Sequence, residues 1–175
     1  MHIAAARDCF GYYLAVNEST PKNNRDLDAA LESKEPINRA TVVAWIDDAS
    51  DLQTLAKLYR LTGEGYYRIQ PELGKEACCF LIVRYLLTCI AENVVIDENV
   101  EDNAKILERY EAAMMLHGWF RQIVGMKDSV QVLNAAAKSV TDMYLRSRED
   151  VRVAIETGFL EHALETAALR RYFDY

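Results

Sequence analysis

The chain has 175 residues, 51% apolar and 27% charged, with only three prolines and seven glycines. A chain of this length can bury roughly 70% of its unfolded surface, and its composition suits a packed core, which excludes a disordered protein. The net charge of −7, from 27 acidic and 20 basic side chains, removes any general attraction to nucleic-acid phosphates or anionic membrane faces and suits a basic partner instead.

The N-terminus, Met1 to Asp8, is interrupted by Arg7 and Asp8 and does not read as an export signal. The most apolar stretch, Ala77 to Ala91, contains Arg84 and falls short of the roughly 20 residues a membrane span needs. A cytoplasmic protein is therefore expected.

In chain order, apolar spacing predicts a helix over Ile3 to Val16, then a polar loop over Asn17 to Arg25 that contains Pro21, then a short helix from Leu27 to Ser33. Paired helices follow, Arg39 to Ala49 and Asp51 to Leu61, with Gly63 at a C-terminal cap. Ser50 with Gln53, Asp128 with Gln131, and Ser147 with Asp150 read as three capping boxes that mark helix starts. A connector from Gly63 to Pro71 leads to two long helices, Glu72 to Asn93 and Val100 to Val124, expected to pair antiparallel. A helix from Ser129 to Arg146 and a final one from Arg148 to Phe173, bent at Gly158, close the chain.

The expected fold is all-α: an irregular array or bundle of antiparallel helical hairpins, about seven or eight helices, with two long central ones. It forms one domain over residues 1–175, residues 1–37 being an N-terminal helix and polar loop and residues 38–175 the paired helices. No fixed repeat period emerges, and the tetratricopeptide and ankyrin signatures are absent.

Cys9, Cys78, Cys79 and Cys89 form no CxxC pair. Cys78 and Cys89 share a helix face, but a rise of about 1.5 Å per residue separates them by roughly 16 Å, too far for a disulfide or a shared metal. They read as reduced core thiols, and no metal or cofactor is expected.

Two polar residues fall on apolar faces. Arg84 shares a narrow stripe with Ala77, Thr88 and Ala91; a guanidinium there needs a carboxylate or backbone carbonyls, or it lines a wet groove. His117 shares a face with Ile106, Tyr110, Ala113, Phe120 and Val124, which points it inward. Residues 113, 114, 120 and 121 are Ala, Met, Phe and Arg, so no second metal ligand stands one turn away. His162, with Glu156, Glu161 and Glu165 nearby, reads as an exposed polar residue without a nucleophile to activate.

Two segments suit contact with a partner. The connector carries Tyr66, Tyr67 and Arg68, residue types that dominate binding hot spots. Glu92 to Glu111 holds seven acids, including Glu98, Glu101, Asp102 and Glu108, against Lys105 and Arg109 alone. Some of those acids would be favoured by the dipole at the start of the second long helix. The leading expectation is a non-catalytic, protein-binding helical domain that engages a basic protein through this acidic surface; an immunity-type inhibitor of a toxin enzyme is one specific version. The alternative is a small-molecule sensor or enzyme holding an anionic ligand between the long helices, with Arg84 and His117 in the pocket.

Overall fold

The computed structural model describes residues 27–30, 32, 33, 37, 39–49, 51–63, 75–93, 106–127 and 129–173, and every regular element among them is helical. These elements are α1 (Arg39–Asp48), α2 (Leu52–Gly63), α3 (Lys75–Glu92), α4 (Arg109–Val124), α5 (Val130–Arg146) and α6 (Glu149–Ile155). Helix α6 runs through a π-helical turn, Glu156–Leu160, into α7 (Glu161–Glu165), and α8 (Ala167–Arg170) follows. Residues 27–30 form a helical turn ahead of α1. The expected helix over Ile3 to Val16 and the connector's Tyr66, Tyr67 and Arg68 lie outside the described residues, as do Cys9, Glu98, Glu101 and Asp102.

Helix α3 is the hub. Leu81, Val83, Tyr85, Leu86, Leu87, Cys89 and Ile90 are buried almost completely, whereas Ala77, Arg84, Thr88 and Ala91 form the half-buried stripe that their spacing predicts. Tyr85 stacks on Tyr59 of α2 with ring centres 4.3 Å apart. On its other side, Arg109 at the start of α4 reaches the carbonyls of Ile90 and Ala91 at the end of α3. Those contacts join the end of one long helix to the start of the next, as an antiparallel pair requires.

The C-terminal run packs differently. Arg109 meets Asp150, Ala113 lies against Gly158, His117 against His162, and Phe120 against Phe173. Both sequences rise together, so α4 and the α6–α8 run are parallel neighbours, with α5 carrying the chain back between them. Hairpin pairing thus describes α3 with α4 and not this last contact.

The second long helix begins later than its composition suggests. Glu108 is extended (φ −63°, ψ 154°), residues 106–108 are not helical, and the first turn holds only Glu111 among the acids. Of the acidic cluster, Glu108 at the N-cap and Glu111 in the first turn stand where the helix dipole favours them, and Asp97, Glu98, Glu101 and Asp102 lie outside the described residues. At the start of α2, Asp51 accepts from the Thr54 backbone N–H and hydroxyl at 2.8 Å each, while Ser50 and Asp128 of the first two expected capping boxes lie outside the described residues. The third helix start is corrected. Ser147 is extended and makes no cap; Asp150 binds arginines instead.

At Gly158, where a bend is expected, the helix widens into a π turn. The Glu161 backbone N–H bonds to the Glu156 carbonyl five residues back, the signature of a π turn. A Cβ at Gly158 would stand 2.7 Å from the Ala113 Cβ, so the glycine lets the two backbones come close. Just beyond, Phe120, Phe159 and Phe173 form a cluster with ring centres 5.1 to 5.5 Å apart, Trp119 edge-on to Phe120, which anchors the C-terminus on α4.

Candidate functional site

Position along α4 decides what each of its side chains meets. At about 100° per residue, Arg109, Ala112, Ala113, Leu116, Trp119, Phe120 and Ile123 fall on one side and are buried. Tyr110, Glu111, Met114, Met115, Gly118, Arg121 and Gln122 fall on the other and are exposed. Tyr110, Met114 and Met115 expose 53%, 60% and 37% of their surface, far more than isolated core-facing apolar residues would. Exposed Glu108 flanks this arc. The inward placement of Tyr110 is thereby corrected: the buried side of the helix is centred on Arg109, Leu116 and Ile123, which leaves Tyr110 beyond its edge.

Gly118 sits in the middle of the exposed arc, and a Cβ there would meet nothing within 4 Å. Mid-helix glycine costs about 0.5–1 kcal/mol relative to alanine. Nothing inside the fold requires it, and it leaves a shallow floor between Met114, Met115 and Gln122.

Arg84 and His117, the two residues expected to form a ligand pair, meet different neighbours. Arg84 donates from Nη1 to the Ile46 carbonyl at 2.9 Å and from Nη2 to the Ala49 carbonyl. It therefore closes the C-terminal end of α1, where exposed carbonyls and the helix dipole both favour a cation. His117 is half-buried on the edge of the α4 arc, and its ring lies 5.4 Å from that of His162, tilted by 35°. Burial lowers the His117 pKa below the ordinary imidazole value, and the neighbouring His162 and Arg121 push the same way. The separation of the two histidines in sequence gives no sign that the π turn brings them together.

Arg109 reads in the sequence only as a counter-charge within an acidic run, and the structure gives it a larger part. Only 5% exposed, it donates Nε to the Ile90 carbonyl at 2.7 Å, Nη2 to the Ala91 carbonyl at 3.2 Å and Nη1 to Asp150 at 2.7 Å. The hydrogen bond from Arg109 holds the Asp150 carboxyl below the usual range, and Arg148 lies 3.3 Å away on the solvent side. A buried arginine with three such partners ties the end of α3 to the start of α6. Lys57 plays a similar part, buried and paired with Asp28 at 2.7 Å.

Cys78, Cys79 and Cys89 are buried and in no disulfide, as expected, and burial pushes Cys78 up to about 11, leaving it protonated and unreactive at neutral pH. Among the described residues, no group of three or more His, Cys, Asp or Glu side chains gathers as a metal site. No helix among them is long and apolar enough to cross a membrane. Comparison with protein-family models, with curated proteins and with solved structures gives no match.

Proposed function

We propose that the protein is a protein-binding helical domain and that the outer face of α4 is its docking surface for a basic protein. One observation carries the reading: Tyr110, Met114 and Met115 stand exposed on one continuous helical arc, around an unexplained glycine and beside Glu108 and Glu111. Tyrosine and methionine are enriched at interface centres, and a rim of charge sets the sign of the partner. The net charge of −7 extends that preference for a cationic partner to the whole molecule. A toxin enzyme with a cationic phosphate-binding cleft is one partner of this chemistry.

The test compares the wild type with a Glu111→Lys/Met114→Ser variant as bait in native extract at low and moderate salt. Both positions are exposed, so the variant folds. The reading expects a stoichiometric basic protein retained by the wild type, weakened by salt and lost from the variant. Equal retention by both baits would contradict it.

A further inference from the structure

The Nε2 atom of His117 is shielded from solvent and has no hydrogen-bond partner. A buried polar atom left in this state calls for a water or an ion to complete it. The nearest aromatic neighbour is itself a metal-binding side chain, since the His162 ring centre is 5.4 Å away. We infer that His117 and His162 form a two-imidazole site for a borderline divalent transition ion such as zinc, nickel or copper, with water in the remaining positions.

The separation fits that use. Two imidazole nitrogens bound at 2.0–2.1 Å to one ion with tetrahedral angles set their ring centres about 5 Å apart. The backbone on either side is fixed: His117 lies in the middle of α4, and the contact of Gly158 with Ala113 holds the opposite segment against it. The π turn matters here, because one extra residue rotates everything after it by about 100° around the helix axis and so sets the facing of His162. His162 itself is exposed, so its ring can turn to offer either nitrogen to the ion, and Glu161 and Glu165 beside it are exposed acids that favour a cation. Arg121, one turn beyond His117, opposes a cation. The lowered basicity of His117 keeps its imidazole neutral near pH 7, which is the form that binds metal. Bound in this way, the ion would clasp α7 to α4 beside the docking arc; the site does not depend on that arc having a partner.

Isothermal titration of the full chain with zinc(II), nickel(II) and copper(II), with magnesium(II) as control, tests the site. The expected result is one ion per chain with micromolar affinity, copper tightest and magnesium not bound, and binding weakened about tenfold or more in His162→Asn and in His117→Asn. His2, the third histidine of the chain, supplies the control: His2→Asn keeps the affinity. Arg121→Gln strengthens binding by removing the opposing charge, and because Arg121 is exposed this variant folds whether or not His117→Asn does. Affinity unchanged in His162→Asn, affinity lost in His2→Asn, or no heat with any of the three transition ions at millimolar concentration would each overturn the inference.

Discussion

Two arginines perform the same task at opposite ends of the sequence's legibility. Arg84 stands out as the one charge in an apolar stripe, and its need for carbonyl partners follows from the chemistry of guanidinium; the carbonyls of α1 then meet that need. Arg109 looks like a surface charge in an acidic run, although the wheel puts it on the face of Ala112, Leu116 and Ile123, because nothing in the sequence names the carbonyls and carboxylate that allow its burial. It is nonetheless the more consequential of the two. Arg109→Met leaves the Ile90 and Ala91 carbonyls and the Asp150 carboxylate without their donor, and is expected to destabilise the protein by roughly 3 kcal/mol or more, read from chemical denaturation. Asp150→Asn, with its side chain in solvent, is expected to do less.

His117 gives the acid side of the stability profile. Its pKa in the folded chain is lower than in the unfolded one, so unfolding takes up a proton in the window below the ordinary value of 6.5. Its contribution is present above that value and is lost as pH falls through the folded pKa. Melting temperature is expected to drop from pH 7 to pH 5, and His117→Asn to flatten the slope over that interval.

At the scale of elements, helix existence follows from apolar spacing, and α3, with its half-buried stripe, and α5 can be drawn from the sequence nearly as they stand. Helix starts cannot. Asp51 and Ser147 both lie near boundaries, and their residue types do not decide between them: Asp51 caps through its local neighbour Thr54, whereas Asp150, the expected partner of Ser147, is drawn across the fold to Arg109. Gly158 marks an irregular place in the last helix because glycine weakens a helix, but nothing in its spacing tells of a π turn. Two glycines therefore predict opposite outcomes. Gly158→Ala drives a Cβ into Ala113 and is expected to destabilise by about 1–3 kcal/mol, with Ala113→Gly restoring part of the loss in the double variant. Gly118→Ala meets open space and is expected to stabilise by about 0.5–1 kcal/mol while weakening partner binding, since the added methyl fills the floor of the docking arc. Thermal melts and the capture experiment read the two effects separately.

Across the whole molecule, the core carries titratable groups that must stay neutral. Burial raises Tyr59, Tyr85, Cys78 and Cys89, with Cys78 moving from 9.0 to about 11. Groups raised in the fold hold their stabilisation below their unfolded pKa values and lose it as pH rises through the folded ones, so cooperative unfolding is expected as pH climbs from about 9 toward 11, with tyrosinate absorbance rising in the same step. The all-helical fold and the antiparallel pairing of α3 with α4 are open to sequence reasoning. The parallel packing of the C-terminal run is not, because it rests on the meeting of residues such as Phe120 and Phe173, whose spacing says nothing of direction. The proposed docking face is legible only in part: Tyr110 stands at the margin of the apolar stripe, and only the packing shows that the buried side is centred on Arg109, Leu116 and Ile123.

That outward face is the centre of the functional account, and methionine oxidation tests it whatever the partner's identity. The chain is exposed to dilute peroxide alone and in native extract, with free methionine added to equalise oxidant, and sulfoxide is measured at each position by mass spectrometry. Met114 and Met115 are expected to oxidise readily in the isolated protein and slowly in extract, with protection removed by moderate salt, while Met126 and Met143, half-buried outside the arc, behave alike in both. Equal oxidation of Met114 in the two settings would contradict a docking role for α4.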